Sequence, residues 1–278
     1  MKNFDNKVAA ITGAGSGIGR ALALNLAKAG CHLALSDVDE KGLDETVALL
    51  KDSKVKVTSE KLDVADRKAI YAWAGHVVAD HGQVNLIFNN AGVALGSSVE
   101  GMDDEDLEWL MDINFWGVVN GTRAFMPHLK ASGEGHIINT SSIFGLAGIP
   151  SQSAYNASKF AVRGFTESLR QELDLSDSCI SATSVHPGGI KTNIAASARF
   201  SDNMEDLVGA SETDAKEKFE KLFITTADKA AKVILKAVRN NKRRVLIGPD
   251  AYAVDLMVRF MPSTYQRLVM LGTKLQMR

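Results

Sequence analysis

The chain has 278 residues, of which 45% are hydrophobic and 23% charged, with a formal net charge of -1. This balance suits a globular protein that buries a sizeable core, and it provides no cationic surplus to attract nucleic acid. Two cysteines, Cys31 and Cys179, both fall in apparent buried strands, which argues against a disulfide framework.

The first element is an apolar strand, Lys7 to Ile11, followed by Thr12-Gly13-Ala14-Gly15-Ser16-Gly17-Ile18-Gly19. A helical period runs from Ile18 to Ala29 and stops at Gly30. Strand, glycine turn and helix leave backbone N–H groups at a helix N-terminus free to hold a phosphate. A side chain at Gly13 or Gly17 would keep a pyrophosphate from the backbone. The second strand, Cys31 to Ser36, ends in Asp37. This is where a dinucleotide-binding unit places a carboxylate for the ribose hydroxyls, about 20 residues past the turn.

Strands and helices then alternate: helix Glu40 to Lys51, strand Val55 to Leu62 ending at Asp63-Val64, helix Asp66 to His81, and strand Val84 to Phe88 ending at Asn89-Asn90-Ala91-Gly92. One long helix is predicted from Asp104 to about Leu129, with acidic residues at its start that suit the helix dipole. Strand His136 to Asn139, helix Ala154 to about Leu175, and strand Ile180 to Val185 running into His186-Pro187-Gly188 follow. Helix Thr226 to Asn240 and strand Val245 to Ile247 complete seven strands. The alternation predicts an α/β fold: one Rossmann-like domain over residues 1–278, with a doubly wound parallel sheet and helices on both faces. A polar insertion at about 192–225 is expected to overhang the ligand crevice. The tail, about 250–278, is apolar from Ala251 to Met261 and again from Tyr265 to Leu271, with Asp255 and Arg259 spaced for an i,i+4 pair.

Tyr155 and Lys159 project from one helix face. A nearby ammonium, aided by a cationic nicotinamide, is expected to lower the phenol's pKa from about 10 and make it a general acid or base for an alcohol proton. The six histidines show no metal-ligand spacing, so no metal is expected.

Thr12-Gly-x-x-x-Gly17-x-Gly19, Asn89-Asn-Ala-Gly92, Ser142, Tyr155-x-x-x-Lys159, and Pro187-Gly188 followed by Thr192 resemble the short-chain dehydrogenase/reductase family. The resemblance runs from about residue 5 to residue 248. It implies hydride transfer between NAD(P) and a carbonyl or alcohol, without a metal, in a homodimer or homotetramer. Tyr155 resembles the family's acid/base, and Lys159 the residue that lowers its pKa and holds the nicotinamide ribose. Ser142, rather than its neighbour Ser141, stands 13 positions before the tyrosine and matches the serine that steadies the substrate oxygen. Asn114 matches the asparagine that holds a water beside the lysine. For the cofactor, the resemblance places Gly13, Ser16, Gly17 and Ile18 at the pyrophosphate, Asp37 at the adenosine ribose, and Asp63 and Val64 beside the adenine. Asn90, Ala91 and Gly92 pass behind the adjoining ribose, and Pro187, Gly188, Ile190 and Thr192 surround the carboxamide.

These residues point to an oxidoreductase acting on a secondary alcohol or ketone. Phe144, Leu146, Ile149 and Phe200 are expected to border the pocket and make its substrate fairly apolar. A nicotinamide-binding sensor or scaffold without turnover would lack the tyrosine or the lysine. NAD is the expected cofactor, because Val38 and Ser16 occupy the positions where NADP-preferring enzymes usually carry a basic residue. Arg20 is expected to face solvent or a nearby carboxylate. Met1 to Asp5 lack a signal peptide's apolar core, and no run approaches the ~18 apolar residues of a membrane span. The cytoplasm is therefore the expected compartment. The tail is expected to cover the substrate pocket or a subunit interface; docking on a membrane surface is the alternative, because Arg259, Arg267, Lys274 and Arg278 accompany its apolar residues.

Overall fold

The structure, a computed structural model, describes residues 1–194, 198–201 and 223–276. Its centre is a seven-stranded parallel sheet: β1 Val8–Thr12, β2 His32–Asp37, β3 Val57–Lys61, β4 Leu86–Asn89, β5 Gly135–Thr140, β6 Ile180–Pro187 and β7 Arg244–Ile247, in the order β7-β6-β5-β4-β1-β2-β3. The register is continuous across β1, with Ile11 beside Leu35 on one side and Phe88 on the other.

All five residues of β1 are buried, as expected for a strand covered on both faces. Ala9 and Ile11 face one core, built with α1 (Gly17–Lys28), α2 (Glu40–Leu49) and α7 (Ala227–Arg239) through Leu22, Leu26, Leu43, Ile234 and Val238. Val8 and Ala10 face the other, built with α3 (Arg67–His81), α5 (Gly117–Ala131) and α6 (Ser153–Leu175) through Trp73, Val77, Phe125, Leu129 and Leu169. The two-residue period of the strand thus assigns its side chains to two helical layers. The sheet is doubly wound, and the chain turns toward its two edges from β1 and β4.

The expected helix from Asp104 to Leu129 is interrupted. It divides into α4, Asp104–Met111, a π-helical turn at Asp112–Trp116, and α5. Asn114 lies inside that turn, where its side chain bonds the backbone of Val93. One further correction concerns a single residue. Cys179 is exposed just ahead of β6, whereas Cys31 is buried. Arg244 begins β7 and pairs with Asp255 at 2.7 Å.

The described ends of the insertion are tied to the body. Ile190–Lys191 pairs with Thr225–Thr226, and Leu95–Gly96 pairs with Arg199–Phe200. Arg199 also lies 3.7 Å over the Trp109 ring and bonds Asp106. Residues 195–197 and 202–222 of the expected insertion lie outside the described residues. The tail forms α8, Pro249–Phe260, which stops before Pro262, and α9, Tyr265–Gln276.

Candidate active site

The candidate residues collect at the C-terminal ends of the parallel strands. Gly13 and Gly17 have φ of 65° and 51°, in the left-handed region. A Cβ on Gly13 would lie 2.8 Å from Ala91 Cα, and one on Gly17 would lie 2.9 Å from Thr192 Cγ2. Conformation and crowding together restrict both positions to glycine. The turn is held from behind by Thr12, whose hydroxyl accepts from Asn90 N–H at 3.0 Å and Ala91 N–H at 3.1 Å. Asn90 returns the contact, donating its amide to the carbonyls of Thr12 and Gly13.

The Ser16 side chain makes no cap hydrogen bond to α1 among the described residues, and the helix's first turn has no acidic residue. It opens on a cavity of about 520 Å³ lined by Gly15, Ser16, Gly17, Lys41 and Thr192 among others. Uncapped N–H groups beside glycines that admit close approach fit the pyrophosphate of a dinucleotide. Asp37 ends β2 with Oδ2 accepting from Gly15 N–H at 2.7 Å and Oδ1 from Asp39 N–H at 2.9 Å. Two N–H bonds fix the carboxylate and leave lone pairs for hydroxyl donors. Arg20 folds over the outer side of the turn, donating to the Gly15 carbonyl and to Glu45 at 2.9 Å. At the far side, exposed Asp63 accepts from Ala65 N–H, and buried Val64 packs against Gly117.

The first turns of α6 present Tyr155 and Lys159, 7% and 3% exposed. Lys159 Nζ lies 5.5 Å from the centre of the Tyr155 ring and donates to the Thr140 carbonyl at 3.3 Å. Burial pushes the phenol up to about 12, opposed by a hydrogen bond with the Ser142 hydroxyl. Burial also draws the Lys159 ammonium down to about 8. The expected depression of the phenol's pKa is therefore corrected for the protein by itself. Desolvation of both groups outweighs an ammonium that stands over the ring and bonds a carbonyl instead.

Ser141 and Ser142 follow β5. Ser141 Oγ donates to the Lys159 carbonyl at 2.8 Å, whereas Ser142 Oγ reaches Tyr155 and accepts from Phe144 N–H at 3.2 Å. The Ser142 carbonyl meets His186 Nδ1 at 3.0 Å, and His186 Nε2 meets Ser184 Oγ at 2.9 Å. Because a carbonyl only accepts, Nδ1 carries the proton and the imidazole is neutral, its pKa drawn down to about 4 by burial. Gly92 closes this side: a Cβ there would lie 3.0 Å from Asn114 Oδ1 and 3.3 Å from Lys159 Nζ. The Asn114 amide donates to the Val93 carbonyl and to Ser158, so both its hydrogens are used and one Oδ1 lone pair remains.

After β6, Gly188 N–H donates to the Ile247 carbonyl at 2.8 Å and Gly189 N–H to Asp250 Oδ2 at 2.6 Å. Ile190 is buried, and Thr192 Oγ1 donates to the Ile190 carbonyl. Phe144 meets Tyr155 edge-on at 5.6 Å, in an apolar cluster with Leu95, Leu110 and Phe200. Leu146 is a correction: it packs away from this cluster, against Leu246 of β7 and Ala251 of α8.

Residues 7–203 match the family model described as short chain dehydrogenase. The chain belongs to the short-chain dehydrogenase/reductase family. It is 50% identical over 272 residues to SadH of Mycobacterium tuberculosis, a protein named as an oxidoreductase, with 98% of this chain and 97% of the relative covered. A short-chain dehydrogenase/reductase from Burkholderia phymatum, solved in complex with NAD, is similar with a TM-score of 0.85 and 32% identity, covering 96% of this chain and 97% of the other. Levodione reductase is similar with a TM-score of 0.78 and 29% identity, over 90% of this chain and 100% of the other. As a short-chain dehydrogenase/reductase the chain is an oxidoreductase that uses a nicotinamide cofactor.

Three residues of this short-chain dehydrogenase/reductase enter its site without having been singled out in the sequence. His186 braces Ser142, Asp250 holds Gly189, and the Tyr265 hydroxyl accepts from Gly148 N–H at 3.0 Å in the loop after Ser142. Asp250 Oδ1 is buried without a partner among the described residues. Its only local mark is Gly248-Pro249-Asp250, a helix start with proline in the first turn.

Proposed function

We propose that the chain transfers a hydride between NAD(H) and the carbon bearing the oxygen of an apolar secondary alcohol or ketone. The observation that carries this reading is the buried convergence of Ser142, Tyr155 and Lys159 beside an apolar cluster and the glycine turn. NAD(H), when bound, supplies or accepts the hydride. In reduction, the Tyr155 phenol, protonated at neutral pH with a pKa of about 12, gives its proton to the substrate oxygen. The Ser142 hydroxyl donates to the same oxygen and steadies its developing charge. In oxidation the phenol must first give up that proton. Lys159, still cationic at pH 7 with a pKa of about 8, favours the phenolate and would hold the ribose hydroxyls, and the phenol's proton would leave to solvent through a water held by the remaining Oδ1 lone pair of Asn114.

Asp37 supports NAD over NADP. A 2′-phosphate would bring ~2 negative charges against this carboxylate and would remove a hydroxyl donor. Arg20, the cation nearest the turn, is already bonded to Glu45 and to backbone carbonyls. A panel of secondary alcohols, followed by NADH absorbance with NAD and NADP in parallel, tests the reading. Turnover of apolar members with kcat/KM for NAD higher by on the order of 10²-fold is expected. Comparable values for the two cofactors, or no turnover with either, would contradict it. A rival reading, a nicotinamide-binding scaffold without turnover, would be contradicted by any turnover in the same panel.

A further inference from the structure

The helices α8 and α9 each turn one side to the body and leave the other uncovered. Ala251 and Val254 of α8 pack on Leu146, Leu246 and Ile143. Tyr265 of α9 is buried, with its hydroxyl on Gly148 N–H. On the uncovered sides Tyr252, Leu256 and Phe260 follow one another at helical spacing, and Phe260 is 81% exposed. Leu268, Met270 and Leu271 are about half exposed on α9. These six are among fourteen large exposed apolar side chains of the described residues, gathered in the span 252–271. Such concentration on two consecutive helices marks a surface that something covers.

Charge narrows what covers it. Beyond Asp255 the sequence contains no acidic residue, whereas Arg259, Arg267, Lys274 and Arg278 are basic. The two carboxylates at the start of α8 are engaged, Asp255 with Arg244 and Arg259 and Asp250 with Gly189 N–H. Arg259, Arg267 and Lys274 are exposed beside the apolar residues. A two-fold contact with a second copy would set this patch against itself, cation facing cation without a carboxylate between them. A bilayer with anionic headgroups offers apolar depth for Leu256, Phe260 and Leu271 and phosphates for the flanking cations.

We propose that α8 and α9 form an interfacial docking surface for anionic lipid bilayers. Among the described residues no helix is long and apolar enough to cross a membrane, so the pair lies in the interface plane. The inference is independent of the reaction and of the cofactor.

Flotation of the full chain with phosphatidylcholine vesicles, with and without phosphatidylglycerol, tests it. Binding is expected to the phosphatidylglycerol vesicles and to weaken as salt rises. Arg267→Gln combined with Lys274→Gln is expected to weaken partition roughly 30-fold. Phe260→Glu combined with Leu271→Glu is expected to abolish it, with the melting temperature kept because both side chains face outward. Absence from the phosphatidylglycerol vesicles, or equal binding to both kinds, would overturn the proposal. So would a Phe260→Glu/Leu271→Glu variant that still floats but changes its sedimentation, since the face would then lie between copies of the chain.

Discussion

At the scale of single residues, the site depends on groups that hold other groups. His186 fixes the carbonyl of Ser142, Ser141 anchors the Lys159 carbonyl, and Thr12 ties the glycine turn to Asn90 and Ala91. Asp250 is the least expected of them. Its carboxylate sits where a Cβ on Gly188 would fall, and it takes the N–H of Gly189 three residues before Thr192. Its second oxygen has no partner among the described residues, so part of its burial there is uncompensated. If the 188–192 bend holds the carboxamide, Asp250→Ala should raise KM for NAD roughly tenfold or more, the worth of a hydrogen bond to a charged group. The kcat should change far less, because Tyr155 and Ser142 stay in place. Steady-state kinetics separate the two constants, and an unchanged KM would remove Asp250 from the cofactor side of the site.

At the scale of elements, the central strands were legible because buried parallel strands read as apolar runs, and Val8 to Ile11 and Leu33 to Leu35 are buried to the last side chain. The glycine turn was legible because its φ values and close approaches admit one residue type. Gly13→Ala tests this: a left-handed φ and a Cβ pressed on Ala91 should cost about 1–3 kcal/mol in urea unfolding. An unchanged midpoint would show that the turn relaxes freely. The π-helical turn at Asp112–Trp116 was not legible. No proline or glycine lies within it, and it accompanies a pairing between Asn114 and Val93 that exists only once the strands have assembled. Leu146 misled for the same reason: a loop position near the serine does not say which core a side chain enters.

At the scale of the whole molecule, burial sets the ionisation that local sequence cannot, as the opposite shifts of Tyr155 and Lys159 illustrate. It also governs stability in acid. His136 and His186 are buried and neutral, with pKa values drawn down from 6.5 to about 3 and about 4, desolvation being the main cause. As pH falls below 6.5 the unfolded chain takes these protons first. Stability is therefore full above 6.5 and declines through the window down to about 4, by up to about 1.4 kcal/mol per pH unit for each histidine. Urea midpoints measured from pH 7 to pH 4.5 should fall steadily, and His186→Gln should flatten the slope; a flat wild-type profile would contradict the burial of both rings. The proposed hydride transfer depends most directly on Tyr155. Its most direct test uses a secondary alcohol deuterated at the carbinol carbon and measures deuterium in the NADH formed by wild type and Tyr155→Phe. The prediction is label in NADH from wild type, and transfer slowed at least roughly 10²-fold in the variant while NADH still binds. A variant that keeps more than about a hundredth of the wild-type kcat, or label lost to water, would contradict it.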